Sequence, residues 1–166
     1  MKGYAKAFEC DYPGLKRVTI LVVVLVELVF SPLVGAGADA AGKGVIHISI
    51  TDIRPQKSGA MVILLYDRSG WLDALKAIRH VEVPVDGKVA LDFTLTGIPY
   101  PATYAVQIFL DRNGNHKLDM HWFPLPGPDE LYGFSNHYKP FAKPDFLKAS
   151  FPLKTSEMRL QVNMRN

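Results

Sequence analysis

The chain has 166 residues, 48% of them apolar, and a formal net charge of +3 from 19 Lys and Arg against 16 Asp and Glu. The basic residues are scattered singly, with no stripe that would track a phosphate backbone, so nucleic acid is excluded as an expected partner. The one cysteine, Cys10, precedes the apolar N-terminal run, which excludes a disulfide framework and fits no lipid-attachment cysteine.

Residues 1–40 read as an address. Lys2, Lys6, Lys16 and Arg17 lead into the apolar run VTILVVVLVELVF (18–30), which Ser31-Pro32 breaks. Small residues follow, and Ala38-Asp39-Ala40 supplies an A-x-A cleavage pattern. Cleavage is expected after Ala40, or after Ala38. Glu27 inside the run and the long basic lead leave an uncleaved anchor as the alternative, because 18–38 is nearly long enough to span a bilayer. The expected location is outside the cytoplasm, periplasmic or extracellular, or else anchored in the inner membrane and facing the periplasm. Residues 41–166 then form a single domain with 15 basic against 12 acidic groups and no cysteine. An exported domain without disulfides has reason to use a metal instead.

GVIHISITDI (44–53) alternates, with Ile46, Ile48 and Ile50 on one face, which is strand periodicity. The cluster 54–59 predicts a turn. AMVILLYD (60–67) is apolar on both faces, as a central strand would be. In RSGWLDALKAI, Trp71, Leu72, Leu75 and Ile78 recur at helical spacing and predict a short helix of two turns. HVEVPV (80–85), the pair Asp86-Gly87 and KVALDFTL (88–95) predict a β-hairpin with Val89, Leu91, Phe93 and Leu95 on its core face. TYAVQIFLD (103–111) alternates again. ASFPLK and RLQVNM close the chain as two more short strands.

Six or seven short strands with turns between them predict an all-β fold: an antiparallel β-sandwich of about seven strands, with closure as a small barrel the alternative. Between Asp111 and Pro144 no period survives. Loops this long are unusual in compact domains and tend to be functional or disordered. This one carries Trp122, Phe123, Leu125, Leu131, Tyr132, Phe134, Tyr138 and Phe141, too many aromatics for disorder, so an ordered loop packed on the sandwich is expected. Ordering irregular backbone costs on the order of 1–2 kcal/mol per residue, and a bound cation would offset part of that.

DRNGNHKLD (111–119) opens the loop. Asp111, Asn113 and Asn115 occupy positions one, three and five of a calcium-type loop; Lys117 would offer its backbone carbonyl at position seven and Asp119 its carboxylate at nine. It is not an EF-hand, since His116 stands where the sharp turn demands glycine and Trp122 where a bidentate glutamate closes the site. The distal ligand would come from Asp129-Glu130, with Glu130 favoured. Two or three charges with two carboxamides predict weak calcium binding, toward ~10⁻⁴–10⁻³ M, suited to a structural ion. The alternative is a metal-free polar turn, since Asn113-Gly114 is itself a strong turn pair.

TYAVQIFLDRNGNHKLD followed by ELYGFSN resembles an uncharacterised bacterial exported family, domain of unknown function 2141. The resemblance covers about 44–164 and rests on the tyrosine-alanine strand, the Asp-Asn-Asn-Asp loop and the Gly-Phe-Ser-Asn segment. It implies a transthyretin-like β-sandwich and no established activity. Leu110 departs from the family's histidine, Ala102 from a turn glycine and Leu131 from a glycine, and PLPGPD looks like an insertion. Tyr132, Gly133, Phe134, Ser135 and Asn136 are expected to brace the cation loop.

GFSNH half-resembles a nucleophile elbow, but a proline-rich loop precedes it and KPFAKP follows, where an elbow needs strand and helix. His116, His121 and His137 share the long loop at no familiar metal spacing. No catalytic motif emerges. The expectation is a non-catalytic exported module whose calcium-ordered loop meets a protein, glycan or other envelope partner, with a membrane only if the leader stays. A metal-assisted hydrolase around Ser135 and a carrier for a small apolar ligand are the alternatives.

Overall fold

The computed structural model describes residues 42–54 and 58–166; the expected leader and part of the 54–59 turn lie outside them. In chain order the elements are β1 (Gly42–Thr51), β2 (Ala60–Tyr66), β3 (Arg79–Pro84), β4 (Leu91–Tyr100), β5 (Ala102–Asp111), β6 (Met120–His121), β7 (Gly127–Pro128), β8 (Tyr132–Phe134), α1 (Phe146–Ala149), β9 (Phe151–Leu153) and β10 (Glu157–Asn163). Three strands form one sheet in the order β10-β1-β4. A second sheet runs β3-β2-β5-β8, with β9 also paired to β5, and β6 and β7 make a separate two-stranded ribbon.

The alternation in β1 does what the sequence predicts. Ile46, Ile48 and Ile50 turn inward and meet Met61, Ile63 and Leu65 of β2 and Tyr104, Val106, Ile108 and Leu110 of β5. Each such side chain contributes roughly 1.5–3 kcal/mol by leaving water, so this layer holds the two sheets together. β2 is central, flanked by β3 and β5, which is why it is apolar on both faces. The Tyr104 hydroxyl donates to the Pro99 carbonyl at 2.7 Å and pins the corner between β4 and β5.

The outer face of the larger sheet is also covered. Trp71 lies within 5.7 Å of Phe134 and Phe146 and 5.5 Å of Tyr66, centroid to centroid. Its Nε1–H donates to the Pro144 carbonyl at 3.0 Å. The predicted two-turn helix here is a single 3₁₀ turn, Ala74–Lys76, capped by Asp73, and Leu75 is 98% exposed. The Ile78 N–H already bonds the Leu65 carbonyl at 2.7 Å, so pairing toward β3 resumes before a second turn can form.

The predicted hairpin across Asp86-Gly87 does not form, although its turn does. Asp86 and Gly87 have φ of 40° and 76°, and the Lys88 N–H bonds the Val85 carbonyl at 2.8 Å. β3 nevertheless pairs with β2, while β4 crosses to the other sheet and pairs with β1. There Leu91, Phe93 and Leu95 stand opposite Ile50, Ile48 and Ile46, extending the isoleucine face, a match that a β3–β4 pairing would forfeit. Val89 falls outside β4 and is 61% exposed, not in the core. One pair also departs from an antiparallel scheme: β10 runs parallel to β1.

Candidate functional site

The region 111–144 is the long irregular stretch the sequence predicts, but it is punctuated by β6, β7 and β8. β8 joins the edge of β5, with Tyr132, Gly133 and Phe134 opposite Phe109, Ile108 and Gln107. Packing of the loop is divided. Leu131 and Phe134 are buried, whereas Trp122, Phe123, Leu125 and Phe141 face solvent, contrary to the expectation that all pack on the sandwich. The β6–β7 ribbon pairs with neither sheet, and the apolar side chains at its tip are left in solvent.

Asp111 ends β5 and is only 3% exposed. Its Oδ1 accepts the backbone N–H of Asn113 (3.2 Å), Gly114 (2.7 Å) and Asn115 (3.3 Å), and its Oδ2 that of His116 (2.8 Å). Four successive amides thus wrap one carboxylate. The curl requires left-handed backbone at Gly114 (φ 73°) and at His116 (φ 59°), so the histidine adopts the conformation for which glycine is the usual choice. Burial opposes ionisation of Asp111, but the four N–H bonds outweigh it and hold the pKa below its ordinary value.

Asn113 and Asn115 converge on Asp119. Their amide nitrogens donate to its Oδ2 and Oδ1 at 2.7 and 2.8 Å. Their oxygens accept the Asn115 and Lys117 N–H groups at 3.1 and 2.9 Å, and that N–H bond is the part Lys117 plays in the network. Glu130 lies beneath, 1% exposed, accepting the Arg112 N–H on Oε1 (2.8 Å) and the Asp119 N–H on Oε2 (3.3 Å). Among the described residues no three carboxylate or imidazole groups form a ready-made metal cage.

The loop histidines go to separate partners. His121 Nδ1 meets Asp129 at 2.9 Å and His137 Nδ1 meets Asn163 at 2.7 Å. His116 Nδ1 meets Glu82 Oε1 at 2.8 Å, the same oxygen that His80 Nε2 approaches at 3.1 Å. Glu82 was not foreseen from sequence. Its alternation with His80 on β3 was visible, but its meeting with His116, 34 residues away, depends on how the loop lies over the sheet edge.

Ser135 is fully buried; its Oγ accepts the Val106 N–H at 2.9 Å and donates to the Ala149 carbonyl at 2.6 Å. Asn136 donates its side-chain amide to the Ser150 carbonyl. These residues therefore tie β5 to α1 and the segment after it.

The sequence model of a family described as an uncharacterized protein conserved in bacteria, DUF2141, matches residues 48–161. The chain belongs to this family. No curated protein and no solved structure matches it. The DUF2141 match runs from within β1 to within β10, and so includes both sheets, the Asp111–Asp119 loop and Glu130.

Proposed function

We propose that this DUF2141 chain is an exported, non-catalytic β-sandwich module whose Asp111–Asp119 loop takes up calcium and thereby holds its long loop in shape. The observation that carries this reading is the convergence of the Asn113 and Asn115 carboxamides on the Asp119 carboxylate. Rotating each amide by half a turn puts its oxygen where its N–H₂ stands, at the loss of the bonds those oxygens accept from the Asn115 and Lys117 N–H groups, which binding of the ion would have to offset. Three side chains would then present hard oxygens to one point, as calcium needs. Asp111, with Asn113 and Asn115 as part of its backbone nest, and Glu130, on the Arg112 and Asp119 amides, would set the frame. Their carboxylates and the Lys117 carbonyl complete the proposed donor set.

The hydrolase alternative is less well supported, because the Ser135 hydroxyl is committed to two backbone groups and bonds no imidazole. The carrier alternative needs a cavity between the sheets, where Ile46, Ile48 and Ile50 pack directly against β2 and β5. Among the described residues no helix is long and apolar enough to cross a membrane. An envelope protein or glycan remains the proposed partner, and the exposed tip of Trp122, Phe123 and Leu125 is the surface most suited to one.

Calorimetric titration of the purified protein with calcium, alongside melting curves with and without EDTA, tests the reading. Binding near ~10⁻⁴–10⁻³ M with a melting temperature lowered by EDTA is expected. Absence of heat together with an unchanged melting temperature would refute it.

A further inference from the structure

A recess of about 290 Å³ opens where β8 and the segment after it meet the end of β10. The two strands touch closely here: a Cβ on Gly133 would lie 2.7 Å from Val162 Cγ1 and 2.9 Å from the Asn163 carbonyl. Phe134 and Met164 supply apolar wall, and Asp52, His137, Lys139, Asn163 and Arg165 supply polar wall.

Three features set this recess apart from an ordinary surface fold. The first is an under-bonded cation. The Arg165 guanidinium stands 5.0 Å over the Tyr132 ring and donates from Nη2 to the Tyr138 carbonyl at 2.7 Å. Its Nε is shut off from solvent without any partner, the one such side-chain atom among the described residues. That Nε is enclosed and faces no ligand, but of the Nη hydrogens only the one bonded to Tyr138 has a protein partner, so the outer edge of the guanidinium is held in position with donors to spare. Neither Arg165 nor Lys139 pairs with a carboxylate among the described residues.

The second feature is a rigid polar wall. Asn163 donates from Nδ2 to Asp52 Oδ2 at 2.8 Å, which fixes its amide orientation. Its Oδ1 must then accept from His137 Nδ1, 2.7 Å away, and this sets the imidazole tautomer with Nε2 unprotonated in the neutral ring. The third is stored backbone strain. Asp52 (φ 60°), Asn136 (φ 57°) and His137 (φ 50°) are all left-handed non-glycine residues. Such residues are strained and concentrate at ligand clamps.

We propose that this recess binds a small molecule bearing a carboxylate or phosphate oxyanion on an apolar body. The oxyanion pairs with Arg165 and Lys139, where a guanidinium fork suits two oxygens at once. The body lies against Phe134 and Met164. Two cations, Lys139 and Arg165, stand against the single carboxylate of Asp52 in the lining, so the recess keeps a net positive charge. This site is independent of calcium at the Asp111–Asp119 loop.

The test is an NMR titration of the ¹⁵N-labelled protein with phenylacetate, with phenyl phosphate and with uncharged benzyl alcohol. Saturable shifts at residues 134–139 and 163–165 are expected with the anions and not with the alcohol, and the tighter anion identifies the oxyanion type. Lys139→Gln and Arg165→Gln should each weaken binding about tenfold or more, as loss of a charge-assisted bond implies. Lys139 is exposed, so its variant stands as the control if Arg165→Gln fails to fold. Shifts that do not saturate, equal response to the alcohol, or undiminished affinity in Lys139→Gln would each overturn the proposal.

Discussion

Glu130 and Asp119 meet across eleven residues of chain, the Glu130 Oε2 accepting the Asp119 N–H at 3.3 Å while Oε1 accepts the Arg112 N–H at 2.8 Å. One buried carboxylate thus ties the two ends of the Asp111–Asp119 loop together. The Arg112 side chain adds its own bond to the Asp129 carbonyl at 3.0 Å, so the base of the loop is closed from both sides.

Replacing that carboxylate should be costly. Glu130→Ala leaves two amides without their acceptor in a buried place and should destabilise the protein by about 2–4 kcal/mol. Glu130→Gln keeps one oxygen and should cost about half as much. Urea denaturation of the two variants reads the difference; equal, negligible losses would mean that Glu130 is not what closes the loop.

Asp111 makes the stability pH-dependent. Although burial opposes ionisation, N–H bonds from His116, Gly114, Asn115 and Asn113 hold its pKa below 3.8. A carboxyl depressed in the folded state stabilises the fold above its unfolded value and loses that contribution as pH falls through the folded value. The stability gap between the wild type and Asp111→Asn should therefore be full above about pH 5 and shrink below about pH 4. A gap that stays constant down to about pH 2 would assign the effect to shape instead of charge.

Asp119→Asn separates the cation from the fold. The side chain is partly exposed, so without calcium the variant should lose no more than about 1 kcal/mol. If the proposed calcium site is correct, its calcium affinity should fall about tenfold or more, since Asp119 is one of the few charged ligands proposed. Calorimetry showing undiminished affinity would remove Asp119 from the ligand set.

Gly133→Ala probes the contact between the sheets' edges. The added methyl would meet Val162 and the Asn163 carbonyl well inside contact distance, with backbone on one side that cannot swing away. A loss of about 1–3 kcal/mol is expected from such overpacking. Thermal denaturation checks it, and a neutral result would show that β8 and β10 can separate freely.

The two tryptophans should behave oppositely. Trp71→Ala removes the ring that Tyr66, Phe134 and Phe146 surround and should cost about 3 kcal/mol. Trp122→Ser with Phe123→Ser alters residues 78% and 88% exposed and should stay within about 0.5 kcal/mol. Similar losses at both places would mean that the β6–β7 tip packs on the sandwich after all.

Much of this was readable before any coordinates. Period-two alternation reports which face of β1 is apolar, and the unbroken apolar run of β2 marks a strand covered on both sides, so these strands and the isoleucine core follow from residue order alone. The meeting of Asn113 and Asn115 with Asp119 is equally local, lying within one tight loop, while Asp111 is engaged by the loop's own backbone amides. Asp86-Gly87 likewise dictated its own turn, both residues taking positive φ. What residue order could not specify is which strand each segment pairs with. The same apolar face of β4 suits β3 or β1, and only the whole core, with Leu91, Phe93 and Leu95 aligned on the isoleucines, selects β1. The parallel seating of β10, the meeting of Glu82 with His116, the half-burial of Trp71 against the exposure of Trp122, and the recess around Arg165 are tertiary decisions of the same kind. Each joins groups many residues apart, and their contact energy is realised only once both sheets have closed on one another.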